Sequence, residues 1–399
     1  MGQSNRRKLR RRRKKARADE VKKPFLLRLL KATPVLLLAT VLTFVLSQVG
    51  ALQKLETTAL DVQTRLLATA PDSEVAIVRI TDDDYRDANL FKNKSPLDPT
   101  VLKKLIEAIS RGGPRAIAVD IDTSAAQFAA MEVPQNDPPI VWGRTAVFSN
   151  KEENFYLLDV LGSQQQPSGL IILKLDPDGA VRRYQRIFSA KKIPFPSLAW
   201  QVLKRKPDPR IANLPEDAKE RFIKFASYPN NTHPISLPAS QVLSMADEEG
   251  WKTDGPLKDK IVLLGGDYAA QDEHNTPVGW MLGVEVWAHV IDTELRGGGH
   301  LPAGRIVIAV LQILDGLVLL ILFQLYRMSR AVLISILSIP LLSLLCSLIA
   351  FWSLAQWAYF LPVLLAVLLQ QVCDRLKDMR KRLALEGVQT VQGVQADKE

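Results

Sequence analysis

Three acidic stops interrupt the middle of the sequence, each at the end of a short apolar run. Thr81-Asp82-Asp83-Asp84 follows residues 75–80, and Asp120 and Asp122 close the run at 116–121. Gly266-Asp267 and then Gln271-Asp272-Glu273-His274 follow residues 261–265. In open α/β sheets, ligands collect beyond the carboxyl ends of the strands. If these runs are neighbouring strands, Asp82, Asp120 and Asp272 converge, with His274 beside them as a further ligand-binding candidate. Converging carboxylates suit a hard cation such as Ca2+ or Mg2+, or a ligand carrying positive charge. The competing role for the same residues is to cap the helices that follow and stay solvated.

Other chemistries are poorly supplied. Gly265-Gly266-Asp267 has neither the spacing of a dinucleotide fingerprint nor the Gly-Lys-Ser/Thr ending of a phosphate loop. The four histidines, His233, His274, His289 and His300, form no His-x-x-x-His or His-Glu-x-x-His pattern, so a zinc hydrolase is not supported. His289, beside Trp287, reads as a packed or surface residue. No Gly-x-Ser-x-Gly elbow marks a serine nucleophile. Cys346 and Cys373 are the only cysteines, which rules out a disulfide framework or a cysteine zinc site between residues 53 and 305. No cofactor and no enzymatic activity are expected. A metal-dependent extracytoplasmic hydrolase built on Asp82, Asp120 and Asp272 is the less favoured alternative.

The acids need elements to hold them. Residues 75–80 (VAIVRI), 116–121 (AIAVDI) and 261–265 (IVLLG) have the continuous apolar character of buried strands. Residues 99–110 place Leu102, Leu105, Ile106 and Ile109 at helical spacing and end at Gly112-Gly113-Pro114. The first two runs with this helix make a βαβ unit with a parallel pair. Shorter strands are predicted at 169–175, 183–188 and 222–225, and helices at 197–203, 238–245 and 284–295. The class is α/β with a mixed, mainly parallel sheet.

The ends of the chain are of another kind. The first 31 residues hold fourteen Lys and Arg against Asp19 and Glu20, a net charge of +12, whereas the whole chain carries +10. The high pI therefore describes a basic arm, and no basic folded face is left for nucleic acid. Residues 32–52 are free of charge over a bilayer-crossing length. An uncleaved anchor is favoured there over a signal peptide cut near Val49-Gly50-Ala51. Further apolar stretches occupy 306–326, 331–352 and 357–372, the first containing Asp315, an intramembrane polar residue that faces a bundle interior or a polar cavity. Four spans put the N-terminal arm, Arg327 and Arg330, and the basic cluster at 375–382 on the cytoplasmic side. Residues 53–305 then form an extracytoplasmic domain, and 373–399 a short cytoplasmic tail. The expected location is the inner (plasma) membrane, with the lipid bilayer as a partner.

The same segments carry a family resemblance. Leu60-Asp61-Val62-Gln63-Thr64-Arg65, the strand ending at Asp82 and the strand ending in acid at 116–122 occur in order. Asp176-Pro177-Asp178-Gly179-Ala180-Val181-Arg182-Arg183 and Pro196-Ser197-Leu198-Ala199 follow. The most specific part runs from Leu257 to Gly265, then Asp272, Thr276-Pro277 and Gly283-Val284-Glu285-Val286-Trp287-Ala288-His289. Residues 53–305 thereby resemble the type-two CHASE domain, an extracytoplasmic sensory module of bacterial signalling proteins. Three stretches depart from the family: residues 89–96 lack its Trp-Pro-aromatic-Arg turn, Ser227-Tyr228-Pro229 replaces its Arg-Gly, and 123–138 is short and polar. If those positions shape a pocket, the ligand differs from the usual one or is absent.

Relatives typically continue into a catalytic output domain, and no such domain follows the last span here. The resemblance thus implies a stand-alone receptor subunit that signals through a separate cytoplasmic effector, with a homo-oligomer as the family's expectation. The rival is a structural or assembly scaffold of the cell envelope, bound to another envelope protein.

Overall fold

The computed structural model describes residues 53–68, 74–133, 138–148, 155–163, 165–190, 193–205, 208–226, 234–268, 272–302, 304 and 356–357. The basic arm, the four apolar stretches (apart from Trp357), Asp315 and the tail lie outside them. No helix among the described residues is long and apolar enough to cross a membrane. Residues Thr57–Pro302 make one compact unit.

At the centre of the Thr57–Pro302 unit is a six-stranded sheet: β1 Val75–Thr81, β2 Ala116–Asp120, β3 Ile140–Arg144, β4 Ser168–Leu170, β5 Ile235–Pro238 and β6 Ile261–Asp267. The spatial order is β5-β1-β6-β2-β3-β4, and every pairing is parallel. A parallel sheet is covered on both faces, which is why β1, β2 and β6 read as unbroken apolar runs. Ala76, Val78 and Ile80 enter one core layer with Ile117, Val119, Val262 and Leu264. Val75 and Ile77 enter the other with Ala116, Ala118, Ile261 and Leu263. The expected βαβ unit needs one correction. β1 and β2 are parallel but not adjacent, because β6 is inserted between them in register on both sides.

The helices are α1 Gln53–Leu67, α2 Asp82–Arg86, α3 Pro99–Arg111, α4 Leu198–Arg205, α5 Ala239–Met245, α6 Trp251–Asp254 and α7 Gly283–Leu295. α3 begins where Asp98 accepts a hydrogen bond from the Thr100 amide and Pro99 supplies a preset φ. Its apolar stripe packs on the first layer with α5, and the Trp251 indole donates to the Ala108 carbonyl at 3.0 Å. α4 and α7 cover the opposite face. Every residue of α7 except Glu285 is buried, and the helix shares its core layer with α4 and with Val181 and Tyr184 of a small antiparallel sheet. That sheet joins residues Val181–Gln185 to Glu220–Phe222 and Lys174–Leu175. The buried polar side chains of α7 are paired, as burial demands. Thr293 accepts from the Lys224 amide at 3.0 Å, and Glu294 takes a two-pronged bond from Arg186 at 2.7 Å and a third from the Tyr184 hydroxyl. His289 is buried, its Nδ1 accepting from the Ala226 amide.

One glycine sets the approach of α7 to the sheet. A Cβ on Gly265 of β6 would lie 2.7 Å from the Cβ of Val284, so only glycine lets the helix start this close. Between β6 and α7 the chain makes a hairpin, Glu273–Thr276 with Gly279–Leu282, that stands outside the central sheet.

Candidate functional site

The order β1-β6-β2 sets the three acidic strand ends side by side, yet only two of them meet in a cavity. A pocket of about 420 Å³ opens beyond β2 and β6, lined by Lys94, Ser95, Asp120, Asp122, Tyr268 and Asp272 among others. Asp120 is the last residue of β2. Asp122 lies two residues on, its Oδ1 accepting from the Ser124 amide at 2.8 Å, a local turn that shapes the wall. Tyr268 follows directly on β6 and stacks on Tyr85 of α2, ring centroids 4.4 Å apart and nearly parallel. The loop carrying Lys94 and Ser95 is anchored by the buried Phe91 and by Gln127, whose amide donates to the Leu97 carbonyl at 2.8 Å.

The two central carboxylates have different surroundings. Burial pushes Asp120 up to about 8, and the charge of Asp272 adds to the effect. Near neutral pH the Asp120 carboxyl therefore keeps its proton and can donate a hydrogen bond. A cation entering the pocket would favour its release. Asp272 bonds the His274 Nε2 at 2.9 Å through Oδ1, and its own carbonyl accepts from the Gly283 amide at 2.9 Å. Its carboxylate rests against Gly283, where any Cβ would collide with it. That position is the first turn of α7, where the helix dipole favours negative charge.

The remaining acids are used structurally. Asp82 sits in the exposed first turn of α2, 3.3 Å from Arg86, and does not line the pocket. Asp84 shares a capping box with Thr81 and accepts from the Ala239 and Ser240 amides at 3.0 and 3.2 Å, so it caps α5 as well. Burial pushes the Asp84 pKa up, but the hydrogen bonds from Ser240 and Thr81 outweigh it and hold the group below the usual carboxylate range. Asp267 pairs with Arg79 at 3.0 Å. Among the described residues, no group of three or more His, Cys, Asp or Glu is placed to hold a metal ion. The trio Asp82, Asp120 and Asp272 is thus not assembled as a metal centre.

Lys94, Ser95 and Tyr268 were not legible as pocket residues. Lys94 and Ser95 belong to the stretch 89–96, one of the three that depart from the type-two CHASE pattern, and that departure falls on the pocket wall. Tyr268 directly follows Gly266-Asp267, and its place next to a strand end was the one signal for it. Of the other departures, Ser124 and Ala125 from 123–138 also line the pocket, whereas 227–229 lies outside the described residues.

The family model for the CHASE2 domain matches residues 35–326. The match takes in the whole sheet, the pocket and most of the nearest apolar stretch on either side. No curated protein and no solved structure matches the chain.

Proposed function

The chain belongs to the CHASE2 domain family, a family of extracytoplasmic sensory domains, and from that premise we propose that it is a membrane-bound receptor subunit. It perceives a stimulus outside the cytoplasm and passes it to a separate cytoplasmic effector. The stimulus is received in the pocket between β2 and β6. The observation that carries this is the pair Asp120 and Asp272, two carboxyl groups that line one cavity, whereas Asp82, Asp84 and Asp267 are taken up by a helix cap and ion pairs elsewhere. Their chemistry favours a positively charged ligand, whose binding would be linked to release of the Asp120 proton.

The membrane arrangement belongs to the same proposal. Residues 32–52, 306–326, 331–352 and 357–372 cross the inner membrane, both termini are cytoplasmic, and the sensory unit faces outward. The alternation of apolar stretches with basic clusters supports that order. A ligand shifts such a receptor only through unequal affinity for its two states. The chain acts as a receptor and not as an enzyme, and works as a homo-oligomer in the bilayer.

The test is gentle extraction of tagged full-length protein from native membranes, with identification of what copurifies. A cytoplasmic kinase, cyclase or regulator lost on deletion of residues 374–399 supports the receptor. Envelope proteins alone, held through 53–305 and indifferent to the tail, would make the chain a scaffold.

A further inference from the structure

The sensory unit is joined in sequence to the apolar stretch 32–52 through α1, so any signal leaving the pocket toward that stretch passes through this helix. Two contacts hold α1 to the rest of the unit from the side of the hairpin 273–282. The Arg65 Nε on α1 donates to the Pro277 carbonyl at the hairpin tip. Asp61 on α1 grips Arg182 through Nε at 2.7 Å and Nη2 at 2.9 Å. Arg182 stands two residues from Ala180, which bridges directly to Asn275 of the hairpin.

The root of that hairpin is the pocket. Asp272, a pocket residue, precedes its first strand and bonds His274 within it. The second strand ends at Leu282, and the Gly283 amide returns to the Asp272 carbonyl. The tip is closed by Thr276, whose hydroxyl donates to the Gly279 carbonyl at 2.6 Å. The hairpin's outer residues Glu273, Asn275 and Trp280 are exposed, Trp280 by 72%, whereas Val278, Met281 and Leu282 pack against the core layer that holds α7.

The receiving helix is also poised. Gln63 is 2% exposed, and neither its amide nitrogen nor its oxygen has a hydrogen-bond partner among the described residues. A buried amide left unpaired raises the energy of this helix position relative to one in which it finds a partner. We propose that hairpin 273–282 is the relay that converts a change at the Asp120–Asp272 pocket into displacement of α1, gripping the helix through Arg65 and through the Asp61–Arg182 pair. The relay rests on the receptor reading and assigns the route by which that pocket is coupled to the helix.

The experiment is hydrogen exchange on full-length protein in lipid nanodiscs, using Asp272→Asn as the perturbation at the pocket. Exchange within residues 57–67 is expected to change by at least about threefold, the scale of coupling between contacting residues. In an Arg65→Gln, Asp61→Asn background the same Asp272→Asn change should leave 57–67 unaltered, with strand β6 still protected in every variant. Should that background lose β6 protection, Arg65→Lys with Asp61→Asn takes its place and is read in the same way. A response confined to the hairpin, or one that reaches α1 without Arg65 and Asp61, overturns the relay. Failure of the receptor reading shows elsewhere, as loss of every cytoplasmic partner with this coupling intact.

Discussion

Asp61 and Arg182 form a two-pronged ion pair across 121 residues of sequence, joining the helix that leads into the sensory unit to the small outer sheet. The guanidinium is almost fully buried and is further held by Asp176 at 3.1 Å and Asp178 at 2.7 and 2.8 Å. Truncating Asp61 leaves two carboxylates on Arg182, so Asp61→Ala should cost about 1.5–3 kcal/mol, the range for a hydrogen bond to a charged group. Arg182→Ala takes the guanidinium from Asp61 and Asp178 and leaves the buried Asp176 to Arg183 alone, and should cost about 3–5 kcal/mol. Chemical denaturation of the two variants checks the ranking, and equal losses would contradict it.

A pH dependence arises from Asp120. Its folded pKa, about 8, lies above the ordinary value of 3.8, so its contribution to stability is complete below about pH 4 and is lost as pH rises through 8. Within that window the slope approaches about 1.4 kcal/mol per pH unit for one proton. Asp84, Glu74 and Asp208 have lowered values and act in the opposite sense, losing stability as pH falls. The informative quantity is therefore the difference between wild type and Asp120→Asn. Unfolding followed from pH 4 to 9 should show wild type losing stability relative to the variant as pH rises. Parallel curves would mean that Asp120 titrates normally.

The central strands were legible in the sequence for a physical reason: β1, β2 and β6 are buried on both faces, and continuous apolar runs announce that. α3 was legible from its stripe and from Asp98-Pro99 at its start. β3 and β5 were not. β3 follows Pro138-Pro139 and contains Gly143, which reads as a turn, although a Cβ there would meet the Val119 carbonyl at 2.8 Å. β5 ends in Pro238, which a sheet tolerates because β5 is an edge strand. The strand-end rule marked Asp82, Asp120 and Asp272 alike. Which of them lines a pocket and which starts a helix depends on the turn each strand makes, and that is set by packing far away in sequence. Lys94 reaches the pocket only because Phe91 and Gln127 fix its loop.

The buried pair Arg186 and Glu294 offers a test of the second core layer. The two side chains are 2% and 1% exposed, and the guanidinium also lies 4.8 Å over the ring of Trp200. Glu294→Ala removes the partner of a desolvated cation and an acceptor of Tyr184, so a loss of about 3–5 kcal/mol is expected. Replacing both residues by apolar ones of matching volume should recover much of it. Thermal unfolding of the single and double variants measures this, and a single-variant loss below about 1 kcal/mol would show that the pair is not a keystone of that layer.

The tight contact of α7 with β6 can be probed from both sides. Gly265→Ala places a methyl group against the Val284 side chain, and overpacking of this kind costs about 1–3 kcal/mol. Val284→Ala alone leaves a small cavity and also destabilises. Val284→Ala removes the two Cγ atoms but keeps the Cβ that would lie 2.7 Å away, so the double variant should stay destabilised while losing less than the sum of the single losses. Additive losses would mean that α7 yields by shifting along the strand instead of losing contact at this point. Since α7 begins beside Asp272, such a shift would also disturb the pocket. Measuring the pH-dependent stability of Gly265→Ala alongside that of wild type therefore separates a local clash, which leaves the Asp120 signature intact, from a displaced helix, which alters it.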